Sequence, residues 1–322
     1  MIDRPLLQVE NLCTYFKLPK PHLFGKAATV FAVDDISFEI SRGQTFGLVG
    51  ESGCGKSTTA MSVLRLVEPT SGSVKLDNQD IGQLKADELR SFRRHMQIVF
   101  QDPYSSMNPR ATACEIVEAP LKIQRVGTSK SRRAKVAHLF KMVGLRPEQR
   151  DLFPHQFSGG QRQRIAIARA LASGPQFIVC DEPVSALDVA IQAQILNLLR
   201  RLQEELNLTY LFISHDMAII QHMCDHIAVM YMGQIVETAD RRSLFLNVQH
   251  PYTKALLSAI PTIDFNVKPS SKRLEGDVPS PMDPPEGCRF HTRCPMTEDV
   301  CKKEMPLLRA VKENHFVACH RA

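Results

Sequence analysis

Two short segments of this chain are made of the residue types that bind phosphate. Gly50, Glu51, Ser52, Gly53, Cys54, Gly55, Lys56 and Ser57 read G-E-S-G-C-G-K-S, after the apolar run 46–49 and before a helix predicted over 58–67. This is a phosphate-binding P-loop in a strand–loop–helix context. The glycines let successive backbone N–H groups curl round phosphate oxygens and Lys56 can reach the β- and γ-phosphates. The Ser57 hydroxyl, with Thr58 beside it, can sit on Mg²⁺. Cys54 lies inside the loop, but the loop works through backbone N–H groups, so its thiol is expected to be incidental.

The second segment, Ser158, Gly159, Gly160 and Gln161, opens an amphipathic helix. Ser158 is a good N-cap and the two glycines leave N–H groups uncovered. Ile165, Ala168, Leu171 and Ala172 supply an apolar stripe before Gly174 and Pro175 stop the helix. An open helix start attracts anions. Alone it reads equally well as an ordinary capped surface helix; the P-loop tips the balance.

Phosphate hydrolysis also needs a metal ligand and a base. The continuous apolar run 177–180 predicts a strand covered on both faces, delivering Asp181 and Glu182 at its C-terminal end, where open parallel sheets place their ligand sites. Asp181 is assigned to the Mg²⁺ shell and Glu182 to general-base activation of the attacking water. A further predicted strand, 210–213, runs into Ser214, His215 and Asp216 and places an imidazole at the same edge.

Lys56, the 98–103 segment with Gln101, Ser158–Gln161, Asp181–Glu182, the 185–188 turn ending in Asp188, and His215 together resemble an ABC-transporter nucleotide-binding domain over roughly residues 6–240. The fold implied is α/β, a P-loop NTPase with a helical insertion subdomain at about 102–157; the chain over 241–322 is expected, from its late cysteines, to add a small irregular C-terminal metal-binding region. The resemblance implies that Phe16 stacks on adenine, that Gln101 senses water and Mg²⁺, and that Asp188 lies in the D-loop. It implies too that His215 contacts the γ-phosphate and that Ser158–Gln161 faces the P-loop of a partner subunit in a head-to-tail dimer. Tyr15 competes with Phe16 for the base, because neighbours on a strand point oppositely. Phe157 stands where many members have Leu and should still pack under the helix start.

Composition agrees with a soluble cytosolic protein able to bury a substantial core: 322 residues, 43% hydrophobic and 23% charged, with net charge +6. With no run of about eighteen apolar residues and no apolar signal region at the N-terminus, any membrane role is expected to be peripheral. The basic run 130–135 reads as a solvated helix face, and no nucleic-acid partner is expected. It lies in the insertion, where helical patterns cover 112–124 and 130–143, with Gly144 and Pro147 ending the second. In the family this subdomain docks the membrane-spanning subunits, so residues near 104–107 are expected to transmit the nucleotide state.

Beyond residue 240 a short helix begins at His250, and prolines at 261, 269, 279, 281, 284 and 285 break regular patterns. Cys288, Cys294, Cys301 and Cys319 follow, separated by five, six and seventeen residues; the other five of the nine cysteines are scattered. In a cytosolic chain a metal site is a better reading than disulfides. The spacing matches neither common zinc nor common ferredoxin patterns, leaving unligated thiols, zinc with help from His291 or His320, and an iron–sulfur cluster all open.

The His250-Pro251-Tyr252-Thr253 segment, the proline-rich linker and C-R-F-H-T-R-C-P are similar to the C-terminal region of ATPase subunits from bacterial dipeptide and oligopeptide importers. The extended loop 17–30 resembles their F-type subunits, which pair with a related D-type subunit. This narrower resemblance implies a [4Fe–4S] cluster on the four cysteines. It also implies a heterodimer with a related ATPase, two transmembrane permease subunits and an extracytoplasmic solute-binding protein, at the cytoplasmic face of the bacterial inner membrane. The activity implied is ATP hydrolysis driving peptide import. The alternatives are an ABC ATPase energising uptake of nickel or another small solute, or a soluble nucleic-acid-associated ABC ATPase.

Overall fold

The computed structural model describes residues 4–19, 28–259 and 276–322. The cargo-subgroup loop 17–30 and the prolines at 261 and 269 fall partly or wholly outside these residues. The chain divides into two compact units, one of Met1–Leu6, Ile40–Gln44 and Gln83–Ile213, the other of Leu7–Glu39, Thr45–Gly82 and Ser214–Ala322.

The first unit is organised by parallel strands. Phe177–Asp181 lies between Met96–Val99 and Thr209–Ser214, in register Ile98↔Val179↔Leu211. All five residues of Phe177–Asp181 are buried, as the continuous apolar run predicts for a strand covered on both faces. Around these strands stand helices with legible starts. Thr112 caps Ala113–Ile123 through a reciprocal box, its hydroxyl accepting from the Glu115 N–H at 3.3 Å and its own N–H donating to Glu115 Oε2 at 2.8 Å. Thr128 caps Ser129–Met142, and Gly144 follows at φ 72°, a conformation open to glycine at no steric cost. The insertion patterns 112–124 and 130–143 are therefore realised as helices, with Lys130 and Arg133 exposed and the half-buried Arg132 paired at 2.8 Å with the buried Glu118.

The second unit holds two sheets. Thr29–Ile40, Leu7–Lys17, Ser71–Leu76 and Gln79–Asp80 form an antiparallel sheet in that order. Asp77 and Asn78 both take positive φ, the twist-compatible two-residue turn between its last two strands. In the other sheet, Thr45–Val49 pairs parallel with His226–Tyr231, which continues antiparallel to Gln234–Asp240 and then to His315–Val317 and Arg309–Lys312.

Two expectations need correction. The helix after the P-loop spans Lys56–Val63 rather than 58–67: it begins inside the motif, and Arg65 turns to φ 49°. The C-terminal region is less irregular than its prolines suggest. It contains helices Pro251–Ser258 and Asp299–Lys303 and contributes two strands to a sheet, because His315–Val317 finds an open edge on Gln234–Asp240.

Candidate functional site

The P-loop follows the fully buried strand Thr45–Val49. Its glycines are required for two different reasons. A Cβ on Gly50 would stand 2.2 Å from the Met230 carbonyl oxygen, and one on Gly55 would stand 2.1 Å from that of Ala32 at φ 109°, so neither position admits a side chain. Gly53 has open space but φ 80°, so there the backbone conformation alone favours glycine. Lys56 is buried and its ammonium donates to the carbonyls of Gly50 at 2.8 Å and Glu51 at 2.9 Å, which curls the loop round the lysine. Ser57 is exposed at the helix start. Cys54 packs at the base of the loop, where burial raises its pKa above the usual thiol range; neutral and enclosed, it is a packing residue.

In the first unit, Gln101, Asp181 and Glu182 come together, in keeping with what the family resemblance implies. Asp181 ends its strand buried, while Glu182 turns out of it with φ 47°. A left-handed glutamate is uncommon, and such strain concentrates at functional sites. It is held by the Glu182 N–H donating to the Ile213 carbonyl at 3.0 Å. The Gln101 amide donates to Glu182 Oε2 at 2.9 Å, so glutamine and carboxylate form one unit. Gln101, Asp102, Ser105, Arg169 and Asp181 line an open cleft of about 630 Å³ beside it.

The helix Gly159–Leu171 opens as expected: Ser158 Oγ accepts from the Gln161 N–H at 3.3 Å, and the Gln161 side chain accepts from the Ser158 N–H at 3.0 Å. Ile165, Ala168, Leu171 and Ala172 are buried, Gly174 has φ 70°, and Phe157 packs beneath the start at 3% exposure. Gly160 is needed for contact, since a Cβ would meet Ile191 Cγ2 at 2.5 Å on the neighbouring helix Val189–Leu206. Asp188 caps that helix through the Ile191 N–H at 3.0 Å. Ser158 and Gly159 remain exposed, as does His215, immediately after strand Thr209–Ser214.

On the strand Leu7–Lys17 the two aromatics separate. The Tyr15 hydroxyl donates to Asp34 and its ring meets Phe31 edge-on at 5.0 Å, whereas Phe16 is exposed.

The ABC transporter family model matches residues 33–185, and a second family, the oligopeptide/dipeptide transporter C-terminal region, matches 236–301. A peptide import ATP-binding protein of Brucella ovis is 50% identical over 321 residues, covering 100% of this chain and 99% of the relative. The oligopeptide transport ATP-binding protein AppF of Bacillus subtilis is 47% identical, covering 98% of this chain and 97% of AppF.

The chain belongs to the ABC-transporter family. Among solved structures, the ATP-binding cassette MJ0796, dimeric and bound to ADP and Pi, superposes with TM-score 0.65 at 32% identity, covering 73% of this chain and 99% of MJ0796. CbiO1 of Clostridium perfringens, part of the CbiONQ complex, gives TM-score 0.64 at 28% identity over 76% of this chain and 91% of CbiO1.

In this ABC subunit the four late cysteines line one small cavity with His291 and His320 at its wall. Burial and then the neighbouring thiols Cys301, Cys294 and Cys319 push Cys288 up to about 11, and burial raises Cys294 likewise. Among the described residues, no group of three or more His, Cys, Asp or Glu is arranged to hold a metal ion, so the geometry does not by itself establish the expected metal centre. No helix of the described residues is long and apolar enough to cross a membrane.

Three residues near the P-loop half escaped sequence reasoning. Tyr252, Arg289 and Arg293 reach it from the C-terminal region, Arg293 across 242 positions to Glu51. The arginines lie inside the cysteine motif, where the thiols drew the reading. Nothing local in sequence marks their partners.

Proposed function

We propose that this chain hydrolyses ATP to energise peptide import, as one ATPase subunit of a membrane transporter. The observation that carries the chemistry is the Gln101–Glu182 pair, which ends a buried strand in a chain with a complete P-loop. P-loop amides and Lys56 hold phosphates, and Glu182 accepts the proton of the attacking water while Gln101 orients it. Ser57, Gln101 and Asp181 would hold Mg²⁺; their oxygen donors suit a hard cation, which supplies charge neutralisation on the phosphates. Exposed Phe16 stacks on adenine, since Tyr15 is engaged by Asp34. Ser158–Gln161 and Asp188 face the nucleotide of a related partner ATPase, and His215 contacts the γ-phosphate. Residues 1–240 act as the nucleotide-binding domain and 241–322 as its C-terminal region.

The permease-docking face includes Tyr104, which is half exposed with the Arg162 guanidinium 5.1 Å from its ring centroid. Met107 is buried and the half-buried Ser106 accepts from Arg169 at its carbonyl at 2.6 Å, so the exposed residues of 104–107 are the first two. The complex sits at the cytoplasmic face of the inner membrane, its cargo selected by a solute-binding protein. Reconstituted with its permeases, the complex should raise its ATPase rate with peptide-loaded binding protein; stimulation by nickel-loaded binding protein alone would overturn the cargo assignment.

The donor set of Cys288, Cys294, Cys301 and Cys319 also supports a [4Fe–4S] cluster: four soft thiol donors share a cavity, yet are not gathered as a single ion demands. The cluster would supply cross-linking of the C-terminal region, not hydrolytic chemistry. Anaerobically prepared protein should contain about four irons per chain; stoichiometric zinc instead would refute this assignment.

A further inference from the structure

Glu51 is the one charged group among the side chains that the P-loop inserts between its glycines and Lys56, and its charge has the wrong sign. The loop exists to attract polyanions through N–H groups, a lysine and a helix start. A carboxylate at its second position opposes that field unless neutralised. Arg293 neutralises it in fork geometry: Nη1 donates to Glu51 Oε2 at 2.8 Å and Nη2 to Oε1 at 3.1 Å. The arginine side chain is 6% exposed, and its guanidinium stands 5.9 Å from the ring centroid of Tyr231. The same loop residue is held at its backbone, because the Tyr252 hydroxyl accepts from the Glu51 N–H at 2.9 Å. Tyr252 is itself fully buried against Tyr231 and Phe290, with ring centroids at 4.7 and 5.5 Å.

Arg289, four residues before Arg293, does the corresponding work on the adenine side. It pairs with Asp34, whose other oxygen accepts from Tyr15, the neighbour of Phe16. Phe290, between the two arginines and 1% exposed, anchors the segment in the aromatic cluster with Tyr231, Tyr252 and His250.

We propose that Arg293 is a positioning residue for ATP binding: it cancels the Glu51 charge and pins the first turn of the P-loop, with Tyr252 fixing the backbone at the same residue. The 288–294 segment, through Arg289 and Arg293, thus holds both ends of this nucleotide half-site. The proposal requires only that the P-loop takes up ATP and is independent of what the cysteines bind.

The test is ATP affinity of the full chain in four variants, with melting temperature recorded for each. Arg293→Ala should weaken ATP binding about tenfold or more, with KM rising more than kcat falls. Adding Glu51→Gln to it should recover most of that loss. Both proteins lack the ion pair, so recovery without a gain in melting temperature reports charge at the loop and not rescued folding. Arg293→Lys, which keeps the charge but loses the fork, should fall between. Should Arg293→Ala fail to fold, Arg293→Lys with and without Glu51→Gln carries the same comparison. Affinity within twofold of wild type in the arginine variants, or a double variant as weak as its arginine parent, would overturn the proposal.

Discussion

Glu182→Gln should bind ATP with nearly unchanged affinity and lose hydrolysis by about 10²–10⁴-fold, the usual contribution of a general base. The substitution is nearly isosteric and leaves Gly50–Ser57 and Lys56 untouched, so phosphate binding survives. It removes the carboxylate that the proposed mechanism uses as proton acceptor, which accepts from the Gln101 amide at 2.9 Å. The backbone bond from the Glu182 N–H to the Ile213 carbonyl, which helps hold φ at 47°, does not involve the substituted atoms. Single-turnover hydrolysis alongside equilibrium ATP binding separates the two effects. Turnover within tenfold of wild type would remove Glu182 from the role of base.

Glu237→Ala should unfold or release the C-terminal region, at a cost of about 3 kcal/mol or more, since each buried donor left without an acceptor costs about 1–3 kcal/mol. Glu237 is fully buried in strand Gln234–Asp240 and serves three donors: the N–H groups of Gln249 at 2.8 Å and His250 at 3.0 Å, and His315 Nε2 at 2.8 Å. Alanine leaves all three without an acceptor in a site closed to water, which is costlier than the loss of any one bond. Glu237→Gln keeps one acceptor but turns an NH₂ toward donors, so it should destabilise less than alanine and still measurably. Chemical denaturation gives the magnitude, and limited proteolysis should cut the alanine variant within 241–322 first. A denaturation midpoint equal to wild type would show that the network contributes nothing.

The segments proposed to meet nucleotide were legible as elements because each is a local pattern. The P-loop repeats glycines where carbonyls of Met230 and Ala32 leave no room or where φ is positive, and Ser158 with Gln161 satisfies a cap within four residues. The run 177–180 announces a strand buried on both faces and carries two carboxylates to its end. Helix bounds were less legible: after Lys56 the helix stops at Val63, although residues 64–67 remain apolar or charged in a helical manner. The aromatic ambiguity was irreducible in sequence, since Tyr15 and Phe16 differ only by a hydroxyl whose acceptor, Asp34, belongs to another strand.

The amino-acid sequence alone determined membership among ABC ATPases and named the residues proposed to meet a triphosphate, because those signals depend on residue type and spacing over a few positions. Tertiary structure alone decided what pairs with Glu51, what engages the Tyr15 hydroxyl, and how the proline-rich C-terminus becomes part of a sheet. Arg293 with Glu51, Arg289 with Asp34 and His315 with Glu237 pair across 242, 255 and 78 positions. A charge has no periodicity that names its partner; only the closing of the chain brings the two into a site dry enough for the pairing to matter.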